Sequence, residues 1–82
     1  MIDNAADIFA YRIKTIRLEM GLSQKNFSLR LGLPFTTYTN YEYGLSEVTI
    51  GNLAHIAREL HVSMDWLAGL SSCREIGDLI YE

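Results

Sequence analysis

Apolar residues recur along the first part of the chain at the spacing of a helix with one buried face. Four of them lie on one stripe, at intervals of four, three and four residues: Phe9, Ile13, Ile16 and Met20. The pattern predicts a first helix that is capped by Asp7, runs to about Met20 and ends at Gly21. Three charged residues fall off the stripe and should be solvated: Arg12, Lys14 and Glu19.

The next stretch predicts two short helices separated by a tight turn. Ser23 is a good N-cap for a helix that ends at Gly32, where a left-handed backbone favours glycine. Pro34 suits the start of the following helix, which runs to Tyr43 and stops at Gly44. Helix, short turn, helix and glycine stop is the pattern of a helix-turn-helix, whose second helix can enter the major groove of DNA.

Two more helices follow, and they complete a compact all-α fold of five short helices. Thr49 caps the fourth helix. Its predicted buried face has five members: Ile50, Leu53, Ile56, Ala57 and Leu60. Ser63 caps the fifth helix, which runs from Met64 to about Ala68 and stops at Gly69. We expect a domain over residues 1–70 and a short tail over residues 71–82.

The tail has two possible structures. Ser72 and Glu75 have the spacing of a capping box, and three apolar residues beyond them share a helical face: Ile76, Leu79 and Ile80. Residues 78–82 could instead form a short strand. In the helical form, a turn or two that cannot bury this face alone would dock on the domain or on a second subunit.

Composition bounds the class of protein. Eighty-two residues with 49% apolar content make one small globular domain, and the single cysteine, Cys73, excludes an intrachain disulfide. No apolar run approaches the roughly 20 residues of a membrane span, and the N-terminus lacks the order of a signal peptide. We therefore expect a cytoplasmic protein without a membrane partner.

The net charge of −3 argues mildly against a nucleic-acid partner, but the charges are unevenly distributed. Residues 9–41 carry a balance of +4, whereas residues 42–82 carry −5. The total therefore understates the positive field around the predicted helix-turn-helix.

Three segments carry a family resemblance: RIKTIRLEMGLSQ at 12–24, NYEYG at 40–44 and LAHIARELHVSMDWLAG at 53–69. Over roughly residues 8–70 the chain resembles the lambda-repressor-like, Cro/XRE-type helix-turn-helix family. The resemblance implies a DNA-binding domain with its helix-turn-helix at 23–43. It also implies a transcriptional regulator whose partner is double-stranded DNA.

The resemblance further implies roles for residues of the two central helices. Tyr38 and Tyr41 should point into the domain. The expected base contacts are Phe35, Thr36, Thr39 and Asn40. Gln24 resembles the family glutamine that contacts the DNA backbone. Three more backbone contacts are expected from their own chemistry, the charge of Lys25 and the hydroxyl groups of Thr37 and Tyr43. Arg17 and Glu42 match the family positions of an ion pair between the first and third helices.

The chemistry of the outward positions fits base edges. Asn40 can make a bidentate pair with adenine, and threonine methyls or Phe35 can contact the thymine methyl. The chain departs from the family pattern at three positions. Glu47 lies in a loop that is usually basic, and Val48 stands where proline is common. Tyr38 is the third departure, and its hydroxyl needs a partner.

Enzyme readings have little support. His55 and His61 are six residues apart, which places them on different faces of a helix, and Cys73 adds no zinc spacing. We expect two surface histidines, no metal, no cofactor and no catalysis, and we expect Trp66 in the core.

The sequence therefore predicts a repressor that binds a palindromic operator as a homodimer and takes no small-molecule ligand. The fifth helix, Leu70 and the tail are the expected dimer surface. Phage repressors, restriction–modification controllers and antitoxins share this build. The alternative is a protein-interaction module on the same fold with weak or no DNA binding, favoured by the net acidity, Glu47 and the aromatic residues of the third helix.

Overall fold

The computed structural model describes residues 5–76, and over this range the chain forms five α-helices and no strand. The helices are α1 (Ala5–Glu19), α2 (Gln24–Leu31), α3 (Phe35–Glu42), α4 (Ile50–Leu60) and α5 (Met64–Ala68). The predicted all-α, five-helix class is thereby confirmed.

Three of the five helices start at a capping side chain that the sequence predicts. The side chains of Ser23, Thr49 and Ser63 each accept a hydrogen bond from the amide three residues on, at 3.1–3.2 Å. Asp7 was expected as a cap but lies inside the first turn of α1, because the helix already begins at Ala5. The acidic side chain is still well placed there, near the positive end of the helix dipole.

Residues 71–76 leave α5 without forming a helix. The capping box expected at Ser72 and Glu75 therefore starts no helix within the described part of the tail. The other predictions for the tail fall on residues 77–82, which lie outside the described residues.

Two edge-to-face aromatic pairs fix α3 in the centre of the domain. Phe9 of α1 packs on Tyr41 with ring centroids 5.6 Å apart, and Phe27 of α2 packs on Tyr38 at 5.3 Å. Both tyrosines are buried, as predicted. Trp66 also joins the core, which confirms its expected position.

The predicted buried face of α4 is wrong at its first residue. Ile56 and Ala57 are buried and Leu53 packs against the core, but Ile50 is 80% exposed. Ile50 lies in the first turn of α4 beside an exposed loop over residues 45–47, so no neighbouring helix covers it. The periodic pattern predicts which residues share a face but not how far along a helix its contacts extend.

The segment after α5 folds back onto α1 through a set of contacts that we call the clasp, formed by Arg12, Glu19, Trp66, Ser71 and Arg74. Arg12 donates hydrogen bonds to the carbonyl oxygens of Trp66 and Ser71, and Arg74 makes an ion pair with Glu19 at 2.7 Å. Both guanidinium groups lie over the indole ring, at 4.9 and 5.4 Å from its centroid. Arg12 was expected in solvent, and this prediction is wrong because α5 and the following segment cover its side chain.

Candidate nucleic-acid interface

Helix α3 presents one face to solvent, and the residues on it follow the helical repeat. Phe35, Thr39 and Tyr43 lie along the middle of this face at i, i+4 and i+8. Phe35 is 50% exposed and Tyr43 63% exposed, while Thr39 is half-buried. Thr36, which is exposed, and Asn40, which is half-buried, form a second row beside the first. The structure thus brings the four expected base-contacting residues together on one surface.

The inner side of α3 is held by a carboxylate that accepts four hydrogen bonds. Arg17 of α1 donates to both oxygens of Glu42, Nε to Oε2 at 2.8 Å and Nη2 to Oε1 at 2.9 Å. Gln24 of α2 donates to Oε1 at 2.9 Å, and the Tyr38 hydroxyl donates to Oε2. We call these four residues the Glu42 cluster. It joins three helices through one buried group, so it fixes the orientation of α3.

The protonation states of the Glu42 cluster follow from its geometry. Burial raises the pKa of Glu42, but the hydrogen bonds from Arg17, Tyr38 and Gln24 outweigh it and hold that pKa below its ordinary value. The hydrogen bond to Glu42 raises the pKa of Arg17. Burial, followed by the neighbouring carboxylate, raises the pKa of Tyr38, so its hydroxyl stays a donor. The ion pair is therefore charged at neutral pH.

The Tyr38 hydroxyl had a partner that sequence spacing could have identified. Tyr38 and Glu42 are four residues apart on one helix, the separation at which side chains meet. Tyrosine at position 38 therefore adds a donor to the cluster instead of leaving a polar group unpaired.

The start of α2 lies next to the exposed face of α3. The first intrahelical bond of α2 runs from the Phe27 amide to Ser23, so the amides of Gln24 and Lys25 have no acceptor within the helix. The side-chain amide of Gln24 donates to Glu42 and also to the hydroxyl of Tyr43, at 3.2 Å. Gln24 therefore connects the start of α2 to the C-terminal end of α3, and its backbone N–H has no acceptor within the helix. Lys25 is exposed beside it.

Two polar contacts from α4 support the helix-turn-helix, and sequence reasoning missed both. Asn52 donates to the Tyr41 hydroxyl at 2.9 Å, and Nε2 of His55 lies 2.7 Å from the Leu31 carbonyl oxygen at the end of α2. His55 is half-buried, so the expectation of a surface histidine is wrong for it. The two residues are three apart, which puts them on one face of α4, and this spacing was the available signal.

Much of the positive charge in residues 9–41 does not face the interface. The clasp and the Glu42 cluster each hold one arginine of this half. Arg30 lines a surface groove together with the carboxylates of Glu19 and Glu59. Lys25 is the exposed cation at the start of α2. The local excess of +4 therefore overstates the field that a ligand at α3 would meet.

Comparisons with known proteins agree with this geometry. A family model described as "Helix-turn-helix" matches residues 13–67. The chain is 35% identical over 60 residues to a Bacillus subtilis (strain 168) protein named "Uncharacterized HTH-type transcriptional regulator YqaE". That alignment covers 73% of this chain and 52% of the relative, so the chain spans about half the length of the curated relative it matches. No solved structure gave a significant match. Among residues 5–76, no helix is long and apolar enough to cross a membrane.

Proposed function

The chain belongs to the Cro/C1-type helix-turn-helix family, and we propose that it is a sequence-specific transcriptional regulator that binds double-stranded DNA through α3. The proposal extends to a cytoplasmic repressor that acts as a homodimer on a palindromic operator. It includes no cofactor and no small-molecule ligand.

One observation carries the proposal: the exposed face of α3 offers uncharged groups that fit base edges, on a helix whose orientation is fixed. Thr36 and Asn40 supply the polar groups, and within residues 5–76 neither side chain makes a hydrogen bond. An asparagine amide can pair with N6 and N7 of adenine. Because Arg and Lys are missing from this face, guanine readout should be weak, and the operator should contain A·T pairs.

Four residues are proposed to contact phosphates. The backbone amides at the start of α2 and the exposed ammonium of Lys25 suit an anion. Thr37 and Tyr43 lie at the two ends of α3 and offer hydroxyl groups to the strands that flank the groove. Gln24 acts here through its backbone N–H and by holding Tyr43.

The small size of one domain supports the homodimer part of the proposal. One domain of this size buries a limited area on DNA, and two half-sites about one helical turn apart give useful affinity. Leu70 is 79% exposed at the end of α5, which supports the surface around α5 as the contact between subunits. Sedimentation at micromolar protein concentration tests the homodimer separately. A protein that stays monomeric and yet binds one half-site as tightly as the whole palindrome would contradict the homodimer.

The direct test is selection of bound sequences from a random duplex pool, at one fixed low salt concentration, with wild-type protein and with Asn40→Ala. We expect a palindromic motif from the wild type and loss of an adenine preference at one position of each half-site from the variant. No enrichment from protein whose helical circular dichroism shows it to be folded would refute DNA binding by this chain.

A second function is favoured by the charge distribution. Because Arg12 and Arg17 are held in intramolecular contacts and Phe35 and Tyr43 are exposed, the same face also fits a protein partner. In that case α3 would bind an apolar protein surface, and DNA binding would be weak at every salt concentration. The selection experiment separates the two functions, since only the first gives a sequence motif.

A further inference from the structure

Both polar side-chain atoms in the middle row of the α3 face already make a hydrogen bond within the protein. The Thr39 hydroxyl donates to the backbone carbonyl of Thr36 at 3.1 Å, the back-bonded arrangement open to threonine in a helix. The Tyr43 hydroxyl is hydrogen-bonded to the side-chain amide of Gln24. Phe35 has no polar side-chain atom. Over the bases the row therefore offers a ring, a methyl group and a second ring, while the exposed Tyr43 hydroxyl at its far end accepts from Gln24 and can still donate to a phosphate.

These three side chains form a continuous row, which we call the apolar row. Residues at i and i+8 are about 12 Å apart along a helix, so a helix lying along a groove would place the row over roughly three to four base pairs. Thr36 and Asn40, whose polar groups are available for hydrogen bonds to bases, lie to one side of the apolar row. A base pair under the apolar row would meet carbon and no donor or acceptor.

In the major groove, the apolar group that an apolar side chain can contact favourably is the methyl group on C5 of thymine. Cytosine methylated at C5 presents the same group at the same place on its ring. Unmethylated cytosine carries only a hydrogen atom at C5 and so offers no methyl group. The purines present the polar N7 atom, which would lose water to the apolar row without gaining a partner.

We infer that the apolar row recognises C5-methyl groups of pyrimidines in the major groove, with Thr39 as its central specificity-determining residue. This inference rests on the proposed function and deepens it. Asn40 supplies the polar readout of a neighbouring adenine, and the apolar row discriminates by the presence or absence of one methyl group.

The test uses the operator obtained from the selection experiment. Each thymine in a half-site is replaced in turn by uracil, which removes the methyl group and leaves the hydrogen-bonding edge unchanged. Burial of one methyl group corresponds to about a fourfold change in affinity. We expect about that loss at one to three positions per half-site, measured by titration at constant salt.

Variants at position 39 show which atom of the threonine acts. Thr39→Ser deletes the methyl group and keeps the hydroxyl, so the ratio of thymine to uracil affinity at the contacted position should fall to about one. Thr39→Val keeps a methyl group and deletes the hydroxyl, so that ratio should stay near fourfold. Thr15→Ser is the matched control, because Thr15 is also back-bonded, to Tyr11 at 2.8 Å, but lies on α1. It should not change the ratio.

The outcomes separate this inference from the proposed function. If folded protein yields no operator, both fail. If an operator is found but uracil substitution costs nothing anywhere, or if Thr39→Val removes the discrimination and Thr39→Ser keeps it, the C5-methyl reading alone is overturned. A sensitive T·A pair is then replaced by C·G, with and without a methyl group on C5 of the cytosine, to identify which pyrimidine supplies the methyl group. Tighter binding of the methylated pair shows that either methylated pyrimidine is recognised. Equal binding of the two pairs restricts recognition to thymine.

Discussion

Removing Arg17 should destabilise the domain severely, because the Glu42 cluster is desolvated. The side chain of Arg17 is 12% exposed and that of Glu42 only 2%. In Arg17→Met the carboxylate would keep hydrogen bonds from Tyr38 and Gln24 but would lose its counter-charge. Breaking a buried pair in this way costs about 3–5 kcal/mol.

The size of the protein makes this loss easy to measure. For a domain of 60–100 residues, 1 kcal/mol shifts the melting temperature by about 4–8 °C. The lower end of the expected loss therefore lowers the melting temperature by about 12 °C or more. Thermal unfolding at pH 7, followed by far-ultraviolet circular dichroism, gives the value. Arg58→Met is the control, since Arg58 is exposed on α4 and its replacement should change stability by less than about 0.5 kcal/mol.

A triple variant tests the reason for the loss. Arg17→Met combined with Glu42→Leu and Tyr38→Phe removes the whole buried polar set except Gln24, which is half-buried and can turn its amide to solvent. Replacing a buried pair by apolar residues is often close to neutral, so the triple variant should be more stable than Arg17→Met. The reasoning is refuted if the single variant melts within a few degrees of the wild type, or if the triple variant loses as much as the single one.

Three further outcomes follow from the same contacts. Folding lowers the pKa of Glu42, so the stability that this carboxylate contributes is present above its unfolded pKa of about 4.3 and is lost as the pH falls through the lower folded value. Glu42→Gln should therefore flatten the acid part of a plot of melting temperature against pH. An unchanged plot would contradict the lowered pKa of Glu42. Gly69→Ala should destabilise the domain, since φ is +85° and the added Cβ would lie 2.8 Å from Cδ1 of Ile8. Gly51→Ala meets open space inside α4 and should stabilise the domain by up to about 1 kcal/mol. Melting temperatures in the opposite order would be inconsistent with this backbone. Lys25→Ala should weaken binding to all DNA sequences about equally and reduce the salt slope by about one unit, and an altered sequence preference would show that Lys25 contacts bases.

Local signals predicted most of the helices. Capping hydroxyls at Ser23, Thr49 and Ser63 and the stripe that includes Ile13 act within one or two turns, so the residues themselves determine them. The direction in which each residue of α3 points came from the resemblance and not from periodicity, because α3 is two turns long and aromatic or threonine side chains occur on both of its sides.

The remaining features depend on contacts between distant parts of the chain. Arg12 is covered by a segment about 60 residues away, and His55 meets a carbonyl 24 residues earlier, at the end of another helix. No pattern within either helix specifies such partners. The inward rotation of the Thr39 hydroxyl was equally invisible, since a helical threonine can hold its hydroxyl in either of two rotamers.

The clasp also determines where the polypeptide leaves the domain. Arg74 is tied to Glu19 near the end of α1, and its carbonyl accepts a hydrogen bond from the Ser63 amide, so residues 71–74 lead back from the end of α5 to its start. A fusion partner joined after residue 76 would therefore start beside α4 and the first residue of α5, where Ile76 lines a groove with Ala57 and Met64. A fragment cut at residue 70 would lose the carbonyl of Ser71 and the guanidinium of Arg74 together, and its tryptophan fluorescence should shift to the red as Trp66 meets water.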